Sequence, residues 1–235
     1  MGKLYLVPTP IGNLKDITLR AIEVLGQVDL ILAEDTRTTK KLLKHYKIRT
    51  KTKSYHIYNE HSSINVIIKL LISDNDIALV SDSGFPCISD PGFLLVREVI
   101  SKGIDFESLP GASSIIPALT LSGFPTTNFI FDGFLPKKKG RKKKLLELSN
   151  ETRTVILFES PHRIIKLLNE IKEVFGTEKN ISISREISKI FEETIRGTIN
   201  ECLLYFEKKK PKGEFVICIQ GIKVNHAMGG QTNSK

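Results

Sequence analysis

The chain has 235 residues, 40% of them hydrophobic and 26% charged, with no tryptophan and a formal net charge of +9. This is an ordinary globular composition, long enough for one large or two small domains with a substantial core. It excludes a helical membrane span, since no apolar run approaches about 18 residues. It also excludes a disulfide or zinc framework, because Cys87, Cys202 and Cys218 are few, widely spaced and form no C-x-x-C. Together with an opening MGKLYLVPTPIG that shows no signal peptide, the cysteine usage points to a reducing cytoplasm.

In chain order, LYLV (4–7) reads as a strand and DITLRAIEVL (16–25) as a helix. DLILA (29–33) is a second strand and TTKKLLKHY (38–46) a second helix. KSYHIY (53–58) suits a third strand and INVIIKLLI (64–72) a third helix. IALV (77–80) and DFESL (105–109) are further strands, separated by the helical FLLVREVISKG (93–103). Strands alternating with helices of this length predict an α/β fold with a mostly parallel sheet. SGFPTT (122–127) reads as a linker. The expected domains are therefore 1–121, a parallel α/β domain with binding loops, and 122–221, a mixed α/β domain. In the second, NFIFDGFL (128–135), TVILFES (154–160), NISISRE (180–186), KIFEETIRG (189–197) and GEFVICIQG (213–221) read as strands, with a helix in PHRIIKLLNEIKEVFG (161–176). The tail 222–235 lacks periodicity and is expected to be frayed.

Three Gly/Pro-rich loops follow strands in the first half: PTPIGN (8–13), SDSGFPCISDPG (81–92) and LPGASS (109–114). Ligands of open α/β sheets bind beyond the carboxyl ends of strands, so three such loops at one edge would outline a single pocket. Each loop alone could be a tight turn. Neither G-x-x-x-x-G-K-[ST] nor a G-x-G-x-x-G after the first strand is present, which removes the P-loop and the usual dinucleotide fingerprint. Within 81–92 the phrase S-D-x-G occurs twice; the second copy predicts Ser89 or Asp90 as a helix cap with Pro91 in the first turn. The five histidines form no H-E-x-x-H, so no metal is expected.

KKKGRKKK (137–144) carries seven positive charges and no negative one, so the basicity reads as one local feature made for a polyanion. Lys137, Lys138, Lys139, Arg141, Lys142, Lys143 and Lys144 are candidate RNA contacts. With no aromatic among them they would read phosphates rather than bases. Candidate catalytic residues stand near strand ends: Glu34 and Arg37 in AEDTR (33–37), Glu159 in FES (158–160), and Arg185 and Glu186 in SRE (184–186). Plainer roles compete with these, helix capping by Asp35 or Thr36 in AEDTR and surface ion pairs in the other two phrases.

LVPTPIGNLKDITLRAIEVLGQVDLILAEDTRTTKKLL, LVSDSGFPCISDPG, LPGASSIIPALTLSGFPT, FDGFLPKKKGRKKK, FESPHRI and SREISKIFEE together resemble the tetrapyrrole methylase superfamily, over about residues 4–221. Within it, the phrases are most similar to the branch that methylates the ribose 2′-oxygen of a cytidine in the decoding region of 16S rRNA. The resemblance implies two α/β domains with S-adenosylmethionine in the cleft between them, and a homodimer acting on 16S rRNA or the small ribosomal subunit. By matching motif it implies a cofactor site of Ile11, Gly12, Asp82, Ser83, Gly84, Phe85, Pro86, Ala112, Ser113 and Ser114, with Phe158 added from the second domain. The family loop commonly reads SDAGTPGISDPG, so Ser83, Phe85 and Cys87 are departures in this chain. Longer relatives also carry a helical segment beyond GEFVICIQG. Two other functions fit the same phrases: a precorrin-type tetrapyrrole methyltransferase, which leaves KKKGRKKK without a purpose, and a non-catalytic RNA-binding relative.

Overall fold

The computed structural model describes residues 1–222, so the tail expected to fray lies, apart from Ile222, outside the described residues. Contacts divide the chain into two units, 1–114 with 187–190, and 115–186 with the chain from 191 on. The division falls ahead of SGFPTT, so the helix ending at Ser122 packs with the second unit.

The first unit is built on β1 (Leu4–Val7), β2 (Leu30–Ala33), β3 (Thr52–Ser54), β4 (Ile77–Val80) and β5 (Phe106–Ser108). All pairings are parallel, in the order β3-β2-β4-β1-β5. β4 is buried at every residue, as an uninterrupted apolar run at the centre of a parallel sheet requires. Its period of two divides the core. Ile77 and Leu79 join Ile67, Leu71, Leu95 and Val99 from α3 (Glu60–Ile72) and α4 (Phe93–Ser101). Ala78 and Val80 join Ala21, Leu25, Leu42 and Leu43 from α1 (Leu19–Gln27) and α2 (Thr36–His45). The parallel α/β architecture anticipated from the alternation is therefore present.

Several boundaries moved. Asp16 closes a single 3₁₀ turn (Leu14–Asp16), and Thr18 caps α1 by accepting the Ala21 N–H. β3 stops at Ser54 because Tyr55 turns inward to 1% exposure and Asn59 takes the His56 N–H at 2.8 Å, starting α3 at Glu60. Neither Ser89 nor Asp90 of the second S-D-x-G caps the helix. Gly92 occupies that position at φ 132°, and its N–H reaches the buried Glu60 carboxylate at 3.0 Å, which also accepts the Tyr55 hydroxyl at 2.9 Å. A Cβ on Gly92 would lie 2.6 Å from Cys87 Sγ, so this turn has room only for glycine.

The second unit contains α5 (Ile115–Ser122), β6 (Phe129–Phe134), α6 (Arg141–Ser149), β7 (Thr154–Glu159), α7 (Ile164–Phe175), β8 (Asn180–Arg185), β9 (Glu193–Thr198), α8 (Ile199–Lys208) and β10 (Phe215–Ile219). Its sheet runs β6-β7-β10-β8-β9, with β6–β7 parallel and the rest antiparallel, the mixed directions expected. α8 went unread in the sequence although T-I-N-E (198–201) spells a capping box, which the structure forms. α6 was unread too, and it takes the second half of the basic run into its first turn.

Candidate active site

In the first unit the three singled-out loops meet at the carboxyl edge of the sheet. Thr9 and Gly84 form a two-bond antiparallel bridge: Thr9 N–H donates to Gly84 O at 2.9 Å, and Gly84 N–H to Thr9 O at 3.0 Å. Buried hydroxyls lock it, Thr9 Oγ1 donating to Ser81 O at 3.0 Å and Ser81 Oγ to Gly84 O at 2.9 Å. Gly84 sits at φ 81°, where a Cβ would contact Ile11 Cγ2 at 3.4 Å and Ala112 O at 3.7 Å. One glycine thus touches all three loops. The first and third also press together directly, since a Cβ on Gly111 would lie 2.6 Å from Pro8 Cβ. The loop 81–92 is long because it first pairs back with Thr9, just past the end of β1, and only then enters α4.

Around this junction Ile11, Asp82, Phe85, Ala112, Ser113 and Ser114 are half-buried, Ser83 and Gly12 are exposed, and Gly84 and Pro86 are buried. The edge presents short polar groups and small apolar surfaces. Cys87 packs below it; burial pushes its thiol up to about 11, so it stays protonated filler. Sequence reasoning missed 187–190, which belongs to this unit. The Lys189 side chain packs where a Cβ on Gly12 would stand, and the Ser188 hydroxyl donates to the Asp16 carboxylate. Ser188 and Glu186 both have positive φ, 66° and 52°, but neither is a glycine, so no turn signal marked the bend.

The same edge gathers carboxylates. Asp82 Oδ1 accepts the Asp35 N–H at 3.0 Å, tying the long loop to the start of α2. Asp35 caps that helix, and the Arg37 guanidinium on both its oxygens holds it down at about 2. The plain capping role is thus present, and Arg37 is held against Asp35. Glu34 differs: burial first, then Asp82, raises it above the usual carboxylate range. Burial, with Glu34 and Asp82 facing it, pushes Asp90 up to about 7. Asp90 therefore binds its proton more tightly in the folded chain than in the unfolded one, whose aspartate titrates near 3.8. Its favourable contribution is complete below that pH and is lost as pH rises through about 7. Asp90→Asn should accordingly raise the unfolding free energy at about pH 8 by about 1–2 kcal/mol, after discounting for its partial solvent exposure. Urea titrations should show the gain shrinking to nothing below about pH 4.

In the second unit the catalytic candidates have structural partners. Glu159 is 2% exposed and enclosed: Arg163 reaches Oε1 at 2.7 Å, the Ser160 N–H reaches the same oxygen at 2.9 Å, and Arg141 reaches Oε2 at 3.3 Å. Arg185 holds the carbonyls of Phe191 and Lys212 at 3.0 and 3.4 Å and pairs with Glu193. Glu186 takes the Glu214 N–H at 2.9 Å. Phe158 is half-buried and packs edge-on to Phe131 and Phe134, with centroids 4.9 and 5.5 Å away.

The basic run is divided. Lys137, Lys138, Lys139, Lys142 and Lys143 are exposed. Arg141 is not a surface contact: it is 5% exposed, with Nε on Glu170 at 2.7 Å, Nη2 on Glu159 and Nη1 on the Pro136 carbonyl. Lys144 pairs with Asp132 at 2.9 Å. Among the described residues no group of His, Cys, Asp and Glu could hold a metal ion, and no helix is long and apolar enough to cross a membrane.

Comparison with known proteins decides the family. The family model for tetrapyrrole (corrin/porphyrin) methylases matches residues 3–203. The chain belongs to the tetrapyrrole methylase family. A protein of Thermotoga maritima named ribosomal RNA small subunit methyltransferase I is 46% identical to this methylase over 221 residues, covering 94% of the chain and 99% of the relative. A Bacillus subtilis protein of the same name is 47% identical over 222 residues, covering 94% and 76%. Among solved structures, a cobalt precorrin-4 methyltransferase matches with a TM-score of 0.68 at 18% identity, covering 93% of this methylase and 94% of that chain. A uroporphyrin-III-C-methyltransferase from Thermus thermophilus matches with a TM-score of 0.63 at 20% identity, covering 94% of each. At these identities the two structures speak for the fold of this methylase.

Proposed function

We propose that the protein transfers a methyl group from S-adenosylmethionine to the ribose 2′-oxygen of a cytidine in the decoding region of 16S rRNA, acting in the cytoplasm as a homodimer. The observation that carries this reading is the 46–47% identity, across 94% of the chain, to proteins named ribosomal RNA small subunit methyltransferase I. The solved neighbours are named for tetrapyrrole substrates, but at 18–20% identity they support only the fold.

The loop junction suits the methyl donor. Gly111 leaves no room for a side chain against Pro8, and Gly84 holds a positive φ of 81° that favours glycine, so the three loops keep a close, backbone-lined junction. Ile11 and Phe85 offer apolar surface, while Ser83, Ser113 and Ser114 offer hydroxyls. Asp82 lies beside them with Glu34 and Asp90 facing it, a negative setting suited to a cation. When bound, S-adenosylmethionine supplies an electrophilic methyl on a positively charged sulfur. The chain's task is then to hold the ribose hydroxyl in line and to take up its proton, since positioning alone supplies much of such a rate. Glu34 suits the proton acceptor: it stands at the carboxyl edge of β2, and burial, with Asp82 beside it, raises its proton affinity. Glu159, Arg185 and Glu186 are assigned to structure instead.

The test uses the full chain with methyl-labelled S-adenosylmethionine, offered small ribosomal subunits from a strain lacking the modification or a precorrin. Label in the RNA is expected. Label in the precorrin and none in RNA would overturn the reading, and donor binding without transfer to either would mark a non-catalytic relative.

A further inference from the structure

The charge of this chain is not one local feature. Between Arg37 and Lys53 stand eight Lys and Arg residues, with no acidic residue from Thr36 to Asn59. Outside this stretch and KKKGRKKK, acidic residues outnumber basic ones. Summing over the whole chain hides the second run, because those acids cancel it.

In the structure the second run forms a surface. Lys40, Lys44, Lys47, Arg49 and Lys51 line a groove of about 750 Å³ at the end of α2 and the approach to β3, with no carboxylate among its lining residues. Among the described residues none of these five forms an ion pair, whereas Arg37, at the other end of α2, is taken by Asp35. We infer that this groove is a second phosphate-binding surface, which grips the backbone of the substrate RNA.

The alternatives account for less. Cations near a helix C-terminus are stabilised by about 0.3–1 kcal/mol each, but the effect fades beyond the last turn. It covers Lys44 and, at φ 57° just past the end of the helix, Lys47. Arg49 and Lys51 lie beyond its reach, and five unpaired like charges repel one another unless an anion is present. A membrane surface would need exposed apolar anchors beside the charge. The apolar lining here is Leu43 and Ile48, buried and half-buried, and it contains no aromatic. Without rings to stack on, the groove reads phosphates and not bases.

Its place in the fold suits that task. α2 starts at the carboxyl edge of β2, beside Glu34 and Asp35, and its ten residues carry the chain about 15 Å to the opposite edge. RNA held there leaves the loop junction open for the donor. β3 is the edge strand of the sheet, so no neighbouring strand covers the groove on that side.

The inference rests on the RNA reading, and the experiment separates the two. The full chain and a variant carrying Lys44→Ala, Lys47→Ala, Arg49→Ala and Lys51→Ala are titrated with a 16S rRNA fragment between about 50 and 200 mM salt. Each lost phosphate contact lowers the log–log slope by about 0.7–0.9, so the slope should fall by about 2 or more. Donor affinity and melting temperature should hold, and the all-lysine-to-arginine variant at 44, 47 and 51 should keep the slope. Lys137→Ala with Lys138→Ala and Lys139→Ala should show its own separate decrement. An unchanged slope in the groove variant, with the wild type still methylating RNA, overturns the groove and leaves the function standing. Loss of binding to vesicles rich in phosphatidylglycerol, with RNA binding intact, overturns it in favour of a membrane. A wild type that shows the groove-dependent slope yet transfers no methyl keeps the groove and refutes the activity.

Discussion

Arg141→Ala should destabilise the second unit by about 3 kcal/mol or more while changing RNA binding little. The residue stands in the middle of KKKGRKKK, yet its guanidinium is 5% exposed and serves three acceptors with three different nitrogens. Removing it leaves Glu159, 2% exposed, with only Arg163 and the Ser160 N–H, and leaves the half-buried Glu170 with Lys166 at 3.9 Å. Breaking a buried pair by deleting one partner typically costs about 3–5 kcal/mol, because the remaining charge has lost its compensation. Arg141→Lys should recover only part of this, since an ammonium cannot reproduce the fork that spans Glu159 and Glu170. Urea unfolding reads the effect. The salt dependence of RNA binding should move less than it does for Lys138→Ala. A variant with unchanged stability and a slope reduced as much as that of Lys138→Ala would make Arg141 a phosphate contact after all.

Gly111→Ala should slow methyl transfer by about 100-fold with only a modest loss of stability. Its added Cβ would sit 2.6 Å from Pro8 Cβ and 3.0 Å from Pro8 Cγ. Pro8 is buried and its ring cannot swing aside, so the first and third loops must part until contact is ordinary, a shift of about 1 Å. Displacements of that size in a positioned site cost on the order of 100-fold in rate. The exposed Gly111 leaves room for the backbone itself to move, which spares the fold. Gly123→Ala supplies the comparison: nothing lies within 4 Å of its Cβ position, so its cost is the backbone strain of φ 72° alone, with transfer preserved. Equal rates for Gly111→Ala and the wild type would detach the loop junction from catalysis.

Much of the fold could be read from local pattern. IALV is an unbroken apolar run because both faces of β4 are covered, and the Gly/Pro loops announced the edge where three chain segments meet. What escaped reading depends on partners far along the chain. Arg141 looks like its lysine neighbours until Glu159 and Glu170, 18 and 29 positions away, enclose it. S-D-P-G spells a helix cap, but Glu60, 32 positions before Gly92, takes the N–H that a cap would have served. Glu159 stands at a strand end as a catalytic residue would, and nothing in FES announces the donors that enclose it. The loops of the candidate site were legible because glycine marks backbone that must bend or approach closely; the shifted proton affinities of Glu34 and Asp90 were not, since they arise from burial that no motif records.

The destination of the methyl group decides the function. Small ribosomal subunits from a strain lacking the modification should be incubated with the full chain and methyl-labelled S-adenosylmethionine, and their 16S rRNA then digested with alkali. A methylated ribose 2′-oxygen blocks cleavage of the adjacent phosphodiester, so the label should appear in one alkali-resistant dinucleotide that begins with cytidine. Label released entirely in single nucleotides, on a base, would contradict the proposed reaction.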